Sequence, residues 1–136
     1  LVIFNYIFAN GDAHLKNFSI LETDAGDHIL SPAYDLMNTS LHIDDGDFAL
    51  EGGLIPKNRY SDVYDKTGHP CQDDFRTFGQ MIGVLPKKID EVISMFSNKS
   101  DEVESMIERS FLDDRTKRMY LRSYKERHQR FLRSDR

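Results

Sequence analysis

The 136-residue chain contains a single cysteine, Cys71, so no disulfide can close within it, and its framework has to come from packing. A lone thiol is what a reducing, cytoplasmic setting leads one to expect. Long apolar runs are also lacking. None approaches the roughly 20 residues that a membrane-spanning helix needs, so no membrane partner is expected. The apolar stretch from Leu1 to Ala9 has neither a basic segment before it nor a small-residue cleavage site after it, and gives no ground for a signal peptide. Positive charge is in deficit: Lys and Arg number 18 against 23 Asp and Glu, a net charge of −5 that gives no support to a general nucleic-acid binder. There is no internal repeat and no low-complexity segment. The 39% of hydrophobic side chains suffices for the core of one domain over 1–136.

Charge is unevenly spread. Glu22 to Glu51 holds eight acids and no Lys or Arg, whereas Arg115 to Arg136 holds nine Lys or Arg against Glu126 and Asp135. The acidic half is where metal ligands are expected. The basic tail reads as a solvated helix face, with an anionic partner as the other reading.

The stretch that carries chemistry is Asn10-Gly11-Asp12-Ala13-His14-Leu15-Lys16-Asn17-Phe18-Ser19, answered by Ser31-Pro32-Ala33-Tyr34-Asp35. Phosphoryl transfer needs a carboxylate to take or orient the proton of the attacking hydroxyl, and oxygen atoms to hold Mg²⁺ on the triphosphate. Asp12 and Asn17 stand in the Asp-x-x-x-x-Asn spacing of a kinase catalytic loop, in which the Asp is the base and the Asn binds metal. Phe18 to Leu21 and His28 to Leu30 are short β-type runs around the turn-rich Thr23-Asp24-Ala25-Gly26-Asp27. An antiparallel hairpin there would return Asp35 beside Asn17. Asp12, Asn17 and Asp35 would then converge on one point, and hard oxygen donors of this kind suit Mg²⁺. The plainer alternative is that Asp and Asn are simply good turn residues.

These runs resemble the HipA family of bacterial serine/threonine kinases. The resemblance is most specific at Asn10 to Ser19 and Leu30 to Leu36, and continues through Asp47-Phe48-Ala49-Leu50 and Asp74-Phe75-Arg76-Thr77-Phe78-Gly79 to the final helices. It implies Asp12 as catalytic base and Asn17 and Asp35 as metal ligands. Asp35-Leu36-Met37 stands where eukaryotic-type kinases carry Asp-Phe-Gly, and departs from that pattern. The implied fold is mainly α with a small β-hairpin, the C-terminal lobe of a kinase. By the same resemblance, the intact protein would use ATP and Mg²⁺ to phosphorylate a serine or threonine of a protein substrate. It would act as the toxin of a type II toxin–antitoxin module, paired with a DNA-binding antitoxin, with no direct nucleic-acid binding by this lobe.

His14 stands to brace Asp12 or touch a phosphate, against the plainer reading of a ring that only packs within the loop. Lys16 stands to neutralise phosphate charge, against that of a solvated lysine. Asp44-Asp45-Gly46-Asp47 lacks the closing Glu of a calcium loop at the required offset, so no calcium site is expected.

Leu1 to Ala9 reads as a buried helix running into the catalytic loop. A kinase also needs a glycine-rich loop, a lysine and a glutamate to grip the nucleotide, all N-terminal to that loop, and nothing before Asn10 supplies them. The expectation is a large lobe without the nucleotide-gripping lobe, with little kinase activity alone. Further on, Phe48-Ala49-Leu50 suits a short strand, and Ile55 to Gln72, with Pro56, Gly68 and Pro70, a loop. Four helices are expected after it. The first runs from Asp73 to Gly83, with Phe75, Phe78 and Ile82 on one face. Pro86 opens the second, with Ile89, Val92, Ile93 and Phe96 inward. Ser100 caps the third, with Val103, Met106, Ile107 and Phe111 inward. Asp113 or Asp114 caps the fourth, with Leu121, Tyr124, His128 and Phe131 on one stripe and His128 as a packing residue.

Two other classes stay open on sequence alone. One is a metal-dependent phosphohydrolase built on Asp12, His14 and Asp35, which the scarcity of further His in metal-ligand spacing disfavours. The other is a non-catalytic interaction module or degenerate kinase lobe.

Overall fold

A computed structural model describes residues 1–43, 46–49 and 52–135. It is mainly helical with one two-stranded antiparallel sheet, as expected. Helix α1 (Val2–Ile7) leads into the loop that carries the candidate catalytic residues, and β1 (Ile20–Glu22) and β2 (His28–Leu30) form a hairpin after it. The helices α2 (Asp62–Thr67), α3 (Gln72–Met81), α4 (Pro86–Ser97), α5 (Ser100–Glu108) and α6 (Asp114–Phe131) follow.

The core explains why so short a helix as α1 holds its place. Tyr6 and Ile7 are buried with Phe75 of α3, Ile89 and Ile93 of α4, and Tyr124 and Phe131 of α6. The Tyr6 ring packs 5.2 Å from that of Phe75, and its hydroxyl donates to the Pro70 carbonyl at 2.8 Å. Burial pushes the Tyr6 phenol well above its ordinary pKa, so it stays a neutral donor. Phe8 lies 5.3 Å from the Tyr124 ring. Each fully buried side chain of this size contributes about 1.5–3 kcal/mol, which anchors the six-residue helix better than its own hydrogen bonds could.

Several sequence expectations change in detail. Ile55 to Gln72 is not a plain loop: it holds a 3₁₀ turn (Lys57–Arg59) and α2. Ser61 caps α2, its hydroxyl accepting from Tyr64 N, and Gly68 closes it in the left-handed region at φ 72°. Asp74, which the sequence presents as one more acid in a first turn, is fully buried. Its carboxylate accepts from Ser61 N at 2.7 Å, Ser61 Oγ at 3.0 Å and Cys71 N at 2.8 Å, joining the start of α2 to the start of α3. The first helix of the bundle is Gln72–Met81 rather than Asp73 to Gly83. It ends in a Schellman motif, with Gly83 N bonded to Gln80 O and Val84 N to Gly79 O. Ile82 falls at that cap and is exposed. Pro86 opens α4 as expected. Ser100 is the first residue of α5 and not its cap, which is Lys99. Met106 and Phe111 are exposed; Phe111 lies past the end of α5, where the helical repeat no longer carries it inward.

Asp113 caps α6, accepting from Arg115 N, Thr116 N and Thr116 Oγ1. His128 is a packing residue, its ring stacked on Tyr124 and its Nε2 3.1 Å from the Phe96 carbonyl. The basic tail is more than a solvated face: Arg127 is buried, pairs with Asp47, and lies over the Tyr6 ring at 5.5 Å. Phe48 and Ala49 lie in no strand. Phe48 is held instead by its ring, 5.7 Å from Tyr6 and 6.4 Å from Phe75. Leu50, Asp44 and Asp45, which complete the strand and calcium-loop patterns, lie outside the described residues.

Candidate active site

The site is built where α1 ends. Ala9 takes φ 53°, a left-handed turn that sends the chain away from the helix axis. Two buried polar residues then fix the loop from opposite sides. Asn10 Nδ2 donates to Asn5 Oδ1 and to the Asp35 carbonyl, each at 3.2 Å. Thr39 bonds the turn three times: its N and Oγ1 donate to the Ala9 carbonyl at 3.0 and 3.1 Å, and Oγ1 accepts from Gly11 N at 2.9 Å. The two residues on either side of Asn10 are therefore clamped immediately before Asp12.

Asp12 Oδ1 lies 3.1 Å from His14 Nε2, both side chains about half exposed. Of the two active readings of His14, bracing the carboxylate is the geometry found. Lys16 is exposed, and among the described residues no carboxylate pairs with it. Asn17 closes a 3₁₀ turn (Leu15–Asn17), and its Nδ2 donates to the Asp12 carbonyl and to Asp35 Oδ2, each at 3.0 Å.

The hairpin pairs Ile20 with Leu30, Leu21 with Ile29 and Glu22 with His28, and a further bond from Ser31 N to Ser19 O extends it towards the site. An isolated two-stranded ribbon is marginal in water, and both strands here are exposed, so its base needs fixing. Tyr34 does this: its hydroxyl donates to the Lys16 carbonyl at 3.0 Å and lies 2.7 Å from Ser19 Oγ. Asp35 thus arrives beside Asn17 as expected. It does so at φ 55°, a left-handed conformation that costs a non-glycine residue about 1–3 kcal/mol and collects at functional sites.

The convergence is closer for two of the three residues than for the third. The side chains of Asn17 and Asp35 meet directly; Asp12 joins them through its backbone carbonyl, while its carboxylate faces His14. Asp35 and Asn17 fit Mg²⁺ by donor chemistry, a carboxylate and an amide, both hard oxygen donors at the surface. An ion of this kind takes one or two carboxylates and completes its shell with water and phosphate oxygens. Among the described residues no three His, Cys, Asp or Glu side chains stand together to cage a metal, so a three-ligand hydrolase centre on Asp12, His14 and Asp35 has no geometric support. A mostly apolar hollow of about 290 Å³, lined in part by Ala13, Leu15, Phe18, Phe48 and Leu54, opens beside the loop.

Comparison with known proteins decides the family. The model of the HipA-like C-terminal domain matches residues 1–107. The chain belongs to the HipA-like C-terminal domain family. A Haemophilus influenzae protein named "Putative kinase" is 26% identical over 140 residues, covering 93% of this chain and 39% of that protein. A Sinorhizobium fredii protein named "Putative kinase Y4dM" is 44% identical over 48 residues, 35% of this chain and 12% of that protein. The chain thus spans about two fifths of the length of the first. The loop from Asn10 to Asn17, the hairpin and Asp35 all lie within the HipA-like match; the whole of α6 lies beyond it.

Thr39, Tyr34 and the bonding role of Asn10 escaped sequence reasoning. Nothing in their spacing announces a partner 18 to 30 residues away; a buried threonine and asparagine in an apolar neighbourhood are the only trace they leave.

Proposed function

We propose that the protein containing this chain is a serine/threonine protein kinase of the HipA type, which moves the γ-phosphoryl group of ATP to a protein hydroxyl. The observation that carries the proposal is the Asn17–Asp35 contact, with Asp35 held in a strained backbone by Asn10. In this reading Asn17 and Asp35 hold Mg²⁺, which supplies neutralisation of the triphosphate charge. Asp12 accepts the substrate proton as the hydroxyl oxygen bonds to the γ-phosphorus and the bond to the bridging oxygen breaks, releasing ADP. His14 orients the Asp12 carboxylate, and Lys16 approaches the phosphates from its exposed position.

On this proposal residues 1–136 form the large C-terminal lobe. The nucleotide-gripping elements lie elsewhere, in keeping with a chain that spans 39% of its Haemophilus influenzae relative. Family membership further supports a cytoplasmic toxin of a type II toxin–antitoxin pair, partnered by a DNA-binding antitoxin. Asp12→Ala in the intact protein is expected to lower kcat for phosphate transfer by about 10²- to 10⁴-fold, the contribution of a general base. Near-full activity in that variant would sink the assignment.

A further inference from the structure

We infer that the apolar hollow beside the catalytic loop is a specificity pocket, which receives an apolar side chain of the protein substrate next to the hydroxyl that Asp12 meets. The inference rests on the phosphoryl-transfer proposal and narrows its substrate. At about 290 Å³ the hollow is at the lower limit of small-molecule sites, with room for a side chain and its backbone rather than for a nucleotide.

Its lining is aromatic and aliphatic. Ala13, Leu15 and Phe18 come from the catalytic loop and its exit, Phe48 and Leu54 from the segment after the hairpin, and Phe78 from α3. Phe48 is fixed by its contacts with the rings of Tyr6 and Phe75, so that side of the hollow is held by the core. Leu15 is the opposite case: it is 74% exposed, three residues from Asp12, and belongs to no buried cluster among the described residues. An exposed leucine alone means little. One that lines an apolar hollow beside a reacting group offers a substrate a surface to cover.

The polar lining identifies the kind of molecule. Asp47 is the one charged residue among those described in the lining, and it is engaged by Arg127 and His69, so no charge is left for an ionic ligand. Asn5 and Asn10 also line the hollow and are only 8% and 4% exposed. Asn10 Nδ2 is taken by Asn5 Oδ1 and the Asp35 carbonyl, but among the described residues nothing accepts from Asn5 Nδ2 and nothing donates to Asn10 Oδ1. Buried amide groups of this kind ordinarily have partners. A peptide supplies N–H and C=O groups, which answer that acceptor and that donor. The apolar lining thus suits a side chain and the two asparagines its backbone, while Ala13, the residue after Asp12, puts both beside the reacting hydroxyl.

The test uses the intact protein and pools of serine-centred peptides, each pool carrying Leu, Phe, Ala, Asp or Lys at one fixed position within three residues of the serine. Two readouts run side by side: fluorescence-anisotropy binding without ATP, and phosphate transfer from ATP with Mg²⁺. Ala49→Leu adds bulk to the lining and Leu15→Ala removes it; circular dichroism checks that both are folded. The wild type is expected to favour the Leu and Phe pools about tenfold or more over the Ala, Asp and Lys pools in both readouts, the effect of burying one such side chain. Both variants should lose that preference, through KM rather than kcat. Asp12→Ala should lose transfer and keep the binding preference. Selective binding without transfer in the wild type would contradict the kinase reading and support the pocket as a peptide site. Transfer with no preference among the pools would overturn the pocket and leave the kinase reading standing. Absence of selective binding by the wild type, or a preference kept in both lining variants, would overturn the pocket equally.

Discussion

Replacing Thr39 by valine tests whether the catalytic loop is held in place by one buried hydroxyl. Valine has nearly the shape of threonine, so the change opens no cavity and removes only the polar contacts. The Ala9 carbonyl keeps the Thr39 backbone donor at 3.0 Å, but Gly11 N loses the acceptor it has at 2.9 Å. Thr39 is buried, so water does not readily take its place. An orphaned donor in such a position costs about 1–3 kcal/mol, to be read as a lower urea midpoint with unchanged slope. The turn that loses its clamp is the one that places Asp12, and a displacement of about 1 Å at a reacting group costs on the order of 10²-fold in rate. Phosphate transfer by the intact protein is therefore expected to fall by about 10- to 100-fold in kcat, with KM for ATP little changed. Thr39→Ser keeps every bond and loses one buried methyl, about 1 kcal/mol, so it should be destabilised yet retain kcat within a few fold. A valine variant within about 0.5 kcal/mol of wild type, or a serine variant as inactive as the valine one, would refute the reasoning.

The contact between α3 and α4 offers a second test. A Cβ on Gly79 would stand 2.8 Å from both Cγ1 and Cδ1 of Ile89, where α3 meets α4. Gly79→Ala should destabilise by about 1 kcal/mol, because overpacking outweighs the gain in helix propensity. In an Ile89→Ala background the same change should turn stabilising by up to about 1 kcal/mol, and equal effects in both backgrounds by urea unfolding would contradict the contact. The third concerns pH. The Thr116 hydroxyl, with the backbone N–H of Thr116 and Arg115, holds the Asp113 carboxyl below its ordinary value of 3.8. A depressed carboxyl contributes stability that is complete above the ordinary value and is lost as pH falls through the folded-state value. Asp113→Ala should thus be less stable than wild type near neutral pH, and the difference should shrink below about pH 4. A gap unchanged between pH 6 and pH 3 would contradict it.

What could be read from the sequence follows the range over which each interaction acts. The hairpin and the Asn17–Asp35 meeting were legible, because alternation and a turn-rich pentapeptide determine local pairing and the pairing determines where Asp35 lands. So were the helices with an opening proline or a capping aspartate, as at Pro86 and Asp113. Helix α2 carries its own signals, Ser61 as cap, a first-turn acid and Gly68 in the closing position, but Pro56 and Pro70 at either side give the stretch the pattern of a loop. The clamp on the catalytic loop was not legible. Thr39 reaches back 30 residues to Ala9, and Asp47 reaches 80 residues to Arg127, distances at which a sequence pattern carries no partner information. The buried Asp74 shows the same limit, since its position alone makes it look like an ordinary first-turn acid until the chain folds Ser61 against it.

The central claim is that Asn17 and Asp35 hold a metal on ATP in a working kinase. The most direct measurement is Mg²⁺-dependent ATP binding and phosphate transfer by the intact protein, beside the same protein carrying Asp35→Ala and shown to be folded. The account predicts Mg²⁺-dependent transfer by the wild type and its loss in the variant. Equal transfer by both would contradict the metal role of Asp35, and undetectable ATP binding by both would mean that this lobe does not serve a kinase.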